Sequence, residues 1–87
     1  MRYTVEIDTK AAREIRTLPR QEQQRVISRA ESLATNPRPP SSVKLEGSSG
    51  LWRIRSGDYR IIYQIHDVRL LVVVVKVGNR RDVYRGI

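Results

Sequence analysis

Three arginines lie close together in the stretch LWRIRSGDYRIIYQI, which runs from residue 51 to residue 65 and contains Arg53, Arg55 and Arg60. The arginine guanidinium is a planar fork of five donors that matches the oxygens of a phosphate group, and it also stacks on nucleic-acid bases. Three such groups in one short stretch indicate a site for a polyanion. The competing interpretation is three solvated arginines on the free face of a sheet.

The alternation of this stretch predicts that its three arginines share one face. Successive side chains of a strand point to opposite faces, so if Ile54 packs inward, Arg53 and Arg55 point away from the core. A short turn at residues 56–58 then brings Arg60 near Arg55 across the hairpin. Like charges directly opposite each other are unfavourable. The pattern therefore looks suited to a bound anion, at some cost in stability.

The segment VGNRRDVYR, residues 77–85, adds a second group of basic residues around an aromatic one. Arg80, Arg81 and Arg85 surround Tyr84, and a tyrosine among arginines provides base stacking together with phosphate contact. Taken alone, Tyr84 is better explained as a residue that packs the last strand on the sheet.

Composition supports a nucleic-acid partner. The 87 residues include 17 Lys and Arg against 9 Asp and Glu, which gives a net charge of +8. Arginine predominates, with 14 Arg and 3 Lys. There is no cysteine and one histidine, so disulfides are excluded and a structural zinc site is not expected. We predict no cofactor and no metal. The N-terminus has no apolar run typical of a signal peptide, and we expect a cytoplasmic protein without a membrane span.

Hydrophobic periodicity predicts an α+β fold in a single domain over residues 1–87, with two N-terminal helices packed on an antiparallel β-sheet. A long loop, residues 35–50, is expected to separate the helices from a three-stranded meander, with Val43 and Leu45 attaching the loop to the body. The predicted elements are a strand over 2–7, a helix from Asp8 or Thr9 to Leu18, a helix from Pro19 to Ala34, and strands over Leu51–Arg55, Tyr59–His66 and Arg69–Val77.

The stretches LWRIRSGDYRIIYQI and VVVVKVGNRRDVYR resemble the signature of the RelE branch of the RelE/ParE toxins, and the resemblance extends over essentially the whole chain. It implies the small α+β fold described above. It also implies a toxin of a type II toxin–antitoxin system that enters the ribosomal A site and cuts mRNA as an endoribonuclease. In that reaction the 2′-hydroxyl attacks the adjacent phosphorus. A cognate antitoxin protein, the ribosome and mRNA are the partners that the resemblance implies.

The resemblance also assigns roles to particular residues. The arginines Arg60 and Arg80 would hold the phosphate and the charge that grows in the transition state, while Tyr84 would stack on or orient the attacked nucleotide. Arg53 and Arg55 would position backbone phosphates. The catalytic set is therefore expected to be Arg55, Arg60, Arg80 and Tyr84, and the RNA-binding set Arg53, Arg55, Arg81 and Arg85.

The chain departs from some relatives, which have lysines where this sequence has Arg53 and Arg55. One of those lysines is a candidate general base, and the pKa of a guanidinium lies far above 7, so its neutral form is scarce near pH 7. Chemistry could rest on positioning and charge alone, or the base could come from the ribosome or Tyr84, or the protein could be a weak nuclease; the first is favoured. Two other functions stay open: a ParE-like toxin that inhibits gyrase, and a non-catalytic relative that binds RNA or an antitoxin.

Overall fold

The computed structural model describes residues 2–85. The elements are β1 Thr4–Ile7, α1 Thr9–Arg16, α2 Arg20–Glu31, β2 Val43–Lys44, β3 Leu51–Ser56, β4 Tyr59–His66 and β5 Leu71–Asn79. A short 3₁₀ turn at Ser32–Ala34 follows α2, and the sheet has the strand order β1-β5-β4-β3-β2. Within residues 2–85, no helix is long and apolar enough to cross a membrane.

Both helices begin where the sequence predicts. The side chain of Asp8 accepts a hydrogen bond of 2.8 Å from the amide of Ala11, which satisfies one of the unpaired donors at the start of α1. Pro19 precedes α2, and its fixed φ suits the entry to a helix. The second helix is shorter than predicted, because the chain after Glu31, which includes Leu33, tightens to a 3₁₀ turn.

One face of the sheet packs against the helices and forms the main core. The strands contribute residues from alternate positions, as a half-buried sheet requires. Tyr63 is fully buried there, and its hydroxyl donates a 2.8 Å hydrogen bond to the carbonyl of Pro37. Burial raises the pKa of Tyr63. The core residues are Ala11, Ile15, Val26, Ala30, Leu33, Ile54, Ile61, Tyr63, Val72, Val74 and Val77.

The predicted α+β class, with two helices on a sheet, is confirmed, but the sheet is mixed rather than purely antiparallel. β1 runs parallel to β5, with Thr4 opposite Leu71 and Ile7 opposite Val74. A parallel pair needs a long crossover connection, and the helices with the following meander supply it. β5 continues past the end of β1, and there the carboxylate of Glu14 accepts a 2.9 Å hydrogen bond from the amide of Val77.

The two hairpin turns of the meander differ from the predicted ones. β3 extends to Ser56, so the first turn has only Gly57 and Asp58, and Gly57 adopts the positive φ of 60° that glycine favours. The second turn is longer than predicted, and β5 begins at Leu71 instead of Arg69. Leu70 has a φ of 50°, a left-handed conformation that cannot continue a strand.

An irregularity in β5 changes the direction of its side chains. Ile62 and its neighbour Tyr63 lie opposite Lys76 and Val74, so Val75 is an extra residue with no partner in the register. Such a bulge re-aims the side chains beyond it. Before Val75 the even-numbered positions face the core, and after it they face away from the helices.

The loop after the helices is attached to the sheet at several points, as its predicted contacts suggest. β2 pairs with β3, and the amide of Leu45 donates to the carbonyl of Leu51 at 2.9 Å. The guanidinium of Arg38 lies 5.3 Å from the ring centroid of Trp52 and donates two hydrogen bonds, of 3.0 and 2.8 Å, to the carboxylate of Asp67. The hydroxyl of Tyr3 donates a 2.6 Å bond to the same carboxylate.

Candidate functional site

The hairpin brings Arg55 and Arg60 close together, as the sequence predicts. Arg55 lies directly opposite Arg60, and Arg53 lies opposite Ile62. Because directly paired residues of an antiparallel ladder point to the same side, these four side chains share the face that points away from the helices. We call it the open face; β5 adds Lys76 and Gly78 to it, and its residues are Arg53, Arg55, Arg60, Ile62, Lys76 and Gly78.

The open face consists of two rows that cross three strands. The first row is Arg53, Ile62 and Lys76, with a basic residue on each side of an apolar one. The second row is Arg55, Arg60 and Gly78. Neighbouring strands are about 4.8 Å apart, so the positive groups of the two rows lie within the reach of one or two nucleotides.

The segment after β5 folds back over this face. We call residues 80–85 the C-terminal turn. The amide of Arg80 donates a 3.0 Å hydrogen bond to the carbonyl of Asp58 in the hairpin turn. Val83 is fully buried, and a methyl group placed on Gly78 would lie 3.5 Å from the Cα of Val83. The turn therefore packs directly on the sheet at Gly78, where an added methyl group would make only ordinary van der Waals contact. Ile62, on the same face, is also fully buried and lies outside the main core.

Tyr84 lies beside the arginines and remains exposed. Its side chain keeps 38% of its surface, and its hydroxyl accepts a 3.2 Å hydrogen bond from Nη1 of Arg53. The packing role that the sequence suggested for Tyr84 is carried out by Val83 instead. On the other side of the turn, the ammonium group of Lys76 donates to the carbonyl of Arg85.

Within residues 2–85, the positive groups of the open face and the neighbouring Arg80 have no acidic partner. The three ion pairs found in residues 2–85 join Arg25 to Glu22, Arg38 to Asp67 and Arg85 to Asp82. Thus, within the part of the chain that the structure describes, Arg53, Arg55, Arg60, Arg80 and Lys76 all lack a carboxylate.

Two of these arginines differ in how the protein satisfies their hydrogen-bond donors. Nη1 of Arg60 donates to the carbonyls of Gly57 and Tyr59 at 3.3 and 3.1 Å, which holds the side chain at the hairpin turn. Nε of Arg53 is buried and has no hydrogen-bond partner among the described residues. An unsatisfied buried donor is costly, so an anion that reached it would recover that cost.

The remaining predicted site residues lie further out. Arg81 is exposed, and its amide donates to the side chain of Asn79 at 3.0 Å. Arg85 is exposed and lies 3.5 Å from Asp82. Neither guanidinium contacts the three hairpin arginines in the described structure. The structure therefore gathers Arg53 with Tyr84 on the open face, and leaves Arg81 and Arg85 on the rim.

Lys76 was missed by the sequence reasoning. Strict alternation along LLVVVVKV puts Lys76 on the same side as Val72 and Val74, which are fully buried in the core. The bulge at Val75 instead turns Lys76 onto the open face. The sequence did contain a signal, because strict alternation would bury Lys76 in an apolar core, and an unpaired buried lysine is not tolerated.

A polar groove of about 820 Å³ continues from the hairpin toward α2. Arg29 connects the two elements, because its Nε donates to the carbonyl of Arg55 at 3.2 Å and its Nη2 to Oγ of Ser41 at 2.7 Å. The lining has no large apolar side chain and consists of Gln21, Gln24, Arg25, Ser28, Arg29, Ser32, Arg55, Ser56 and Gly57. Such a lining offers donors for phosphate and ribose oxygens but little for an apolar ligand. No cluster of three His, Asp or Glu side chains that could hold a metal occurs in residues 2–85.

Comparisons with known proteins agree with this geometry. Residues 5–84 match the family model described as the ParE toxin of type II toxin–antitoxin systems. The chain is 35% identical over 88 residues to a RelE-like toxin protein of Escherichia coli, covering 97% of this chain and 92% of that protein. It is 30% identical over 82 residues to the mRNA interferase toxin RelE of E. coli K12, covering 92% and 85% of the two chains. Among solved structures, the toxin–antitoxin complex RelBE2 of Mycobacterium tuberculosis contains a chain that superimposes with a TM-score of 0.82 at 30% identity, over 92% of this chain and all of that one.

The family match over nearly the whole chain and the fold likeness together define the class. The chain belongs to the RelE/ParE superfamily of toxins from type II toxin–antitoxin systems. Within that superfamily it is a RelE-like toxin, as its relatives and its structural neighbours are.

Proposed function

We propose that this toxin is a ribosome-dependent endoribonuclease that cleaves mRNA in the A site and so inhibits translation. The observation that carries the proposal is the open face, where Arg53, Arg55 and Arg60 lie together without an acidic partner among the residues that the structure describes, and with Tyr84 beside them. The E. coli relative that is called an mRNA interferase toxin supports the same activity.

The chemistry depends on positive charge placed at one phosphate. The 2′-hydroxyl attacks the adjacent phosphorus, the bond to the 5′ oxygen breaks, and negative charge grows on the non-bridging oxygens. Arg60 is held at the hairpin turn, and the backbone of Arg80 is tied to Asp58 of the same turn. Both side chains therefore extend from the hairpin turn, and we assign their guanidinium groups to the phosphate whose negative charge increases in the transition state.

The other residues of the face bind and orient RNA in this proposal. The exposed ring of Tyr84 stacks on the attacked nucleotide, and its contact with Arg53 orients both groups. Arg55 contributes to the transition state and to backbone contact, while Arg81 and Arg85 bind phosphates from the rim. Counterion release makes such binding strongly dependent on salt.

We also assign an antitoxin partner, a cytoplasmic location and a single domain over residues 1–87 to this protein. The structural neighbour from M. tuberculosis is part of a toxin–antitoxin complex. A protein with a net charge of +8 attracts an acidic partner segment as well as RNA. One consequence is that an antitoxin that covers the open face would block the arginines and the RNA together.

The test is primer extension on a defined mRNA, with and without ribosomes stalled with an empty A site. We expect cuts inside the A-site codon that require the ribosome. Arg60→Ala and Arg80→Ala should each lower the cleavage rate by about 100-fold or more, since each removes a charge donor to the transition state. The matched control is Arg69→Ala, which removes an exposed arginine from the turn at the other end of β4. Full activity of both folded variants would refute the site assignment.

A second function is favoured by one observation, since the matching family model describes the ParE toxin. ParE-like toxins inhibit gyrase, so broken DNA with intact mRNA on induction of the wild-type protein would support that function. A protein that binds ribosomes and never cuts would instead be a non-catalytic relative.

A further inference from the structure

We infer that Lys76 is the proton donor to the leaving 5′ oxygen, an inference that rests on the proposed nuclease function. When the phosphorus–O5′ bond breaks, the oxygen departs as an alkoxide unless a proton reaches it. The other positive groups of the face are arginines, and a guanidinium has a pKa far above neutral, so it releases protons poorly. A lysine ammonium is charged at neutral pH and is a stronger acid than a guanidinium.

The β5 bulge places Lys76 where this role is possible. The extra residue Val75 turns Lys76 away from the core and into one row with Arg53, on the far side of Ile62. The row spans two strand spacings, so the Cα atoms of Arg53 and Lys76 are about 10 Å apart. Lys76 also lies two residues from Gly78, the register partner of Arg60, so its long side chain starts on the same face as the arginine assigned to the phosphate. Bulges are frequent beside active sites because they re-aim a side chain in this way.

The contacts of the C-terminal turn place the ammonium group of Lys76 at the edge of the open face. Lys76 donates to the carbonyl of Arg85, and the hydroxyl of the preceding Tyr84 contacts Arg53. One protein acceptor uses one of the three ammonium donors. The other two have no carboxylate partner among the described residues and can meet an ester oxygen of RNA.

The step balances without a further reagent. The bond from O2′ to phosphorus forms as the bond from phosphorus to O5′ breaks. The proton of the 2′-hydroxyl goes to water, and a proton of the Lys76 ammonium goes to O5′. Lysine then regains a proton from solvent. General acid catalysis of this kind contributes about 10²–10⁴-fold in rate.

The alternative for Lys76 is purely structural, since its bond to Arg85 also fastens the C-terminal turn. The variant Lys76→Arg separates the two roles, because arginine keeps the charge and the ability to bond a carbonyl but releases a proton poorly. The test uses two mRNAs, one natural and one with a 5′-bridging sulfur at the cleaved linkage. A thiolate leaves without protonation, so the sulfur substrate does not require the acid.

We expect Lys76→Arg to cut the natural mRNA about 100-fold more slowly than wild type, and to cut the sulfur mRNA at the wild-type rate. Ribosome binding should not change. Lys44→Arg, at an exposed lysine in β2, is the matched control and should cut both mRNAs like wild type. Lys76→Gln, whose amide can still donate to a carbonyl but supplies no acidic proton, should repeat the pattern if Lys76→Arg folds poorly.

Two results would overturn the inference alone. Wild-type cleavage of the natural mRNA by Lys76→Arg would show that no proton comes from Lys76. An equal loss on both mRNAs would show that Lys76 only positions the turn. If the wild-type protein cuts neither mRNA, the proposed nuclease function fails, and the inference fails with it.

Discussion

The two faces of the strands β3 and β4 differ completely, although their residues alternate in one short sequence. On the helix side, Ile54 lies opposite Ile61 and both are fully buried. One residue along, on the open face, Arg55 lies opposite Arg60 and neither has an acidic partner in the described structure. Period-two alternation therefore lets one hairpin hold the fold together on one side and gather charge on the other.

The comparison of the two faces shows which side of the sheet stabilises this small protein. A domain of this size has only a modest apolar surface to bury, and the helix side of the sheet supplies most of it. The open face adds a repulsive arginine pair and a buried donor without a partner, the Nε of Arg53. Neither feature stabilises the folded protein, and both suit the binding of an anion. Substitutions on the two faces should therefore have opposite consequences.

The largest effect is expected for Ile61→Ala. The side chain is fully buried against the helices, and its truncation leaves a cavity, so the free energy of unfolding should fall by about 2–5 kcal/mol. Urea unfolding followed by circular dichroism measures the change. The adjacent Arg60→Ala is the control, and it should not lower the free energy of unfolding by more than about 0.5 kcal/mol. Similar losses from both variants would contradict the division between the two faces.

A smaller and opposite change is expected for Arg55→Gln. Removal of one charge from the Arg55–Arg60 pair should raise the free energy of unfolding by about 0.2–1 kcal/mol, because like charges directly opposite each other destabilise a sheet. The same variant should bind ribosomes more weakly, with a salt dependence whose slope is reduced by about 1. Filter binding at several salt concentrations measures both quantities.

Arg69→Gln provides the comparison for that experiment, since it removes an exposed arginine from the opposite end of β4. It should leave stability and the salt dependence as they are in the wild-type protein. If Arg55→Gln proved less stable than wild type, the arginine pair would have a structural role that the open-face comparison does not allow.

The smallest effect concerns a carboxylate at the sheet end remote from the hairpin turn. Hydrogen bonds from Arg38 and then from Tyr3 lower the pKa of Asp67 from 3.8 to about 2. A lowered pKa in the folded state means that the contribution to stability is present above pH 3.8 and is lost as the pH falls from there to about 2. Because the group is exposed and screened by solvent, the effect should be small.

Urea midpoints measured between pH 2 and pH 6 test this expectation. The wild-type midpoint should fall across that window by more than the midpoint of Asp67→Asn, which cannot titrate. Asp82→Asn removes another exposed carboxylate and serves as the control. Parallel pH curves for wild type and Asp67→Asn would show that the Arg38–Asp67 contact contributes nothing.

Alternation was sufficient to predict the shared face of the hairpin arginines, because Arg53 and Arg55 flank Ile54, and Arg60 precedes Ile61 on the other strand. It could not predict the partner of β1, since periodicity identifies a strand but not its neighbour. Nor could it predict the direction of Lys76, because the bulge at Val75 depends on how β5 pairs with β4. Alternation also could not predict the contact of Tyr84 with Arg53, because that contact requires the C-terminal turn to fold back on Gly78.

The pairing of Thr4 with Leu71 has a consequence for the synthesis of the toxin. The first strand has no partner until the last one has been made, and contacts between distant parts of a chain slow folding. A growing chain therefore has neither a closed sheet nor an assembled open face, since β5 and the residues after it supply Lys76, Arg80 and Tyr84. By this topology, the open face and the residues beside it come together only after β5 and the C-terminal turn have been made.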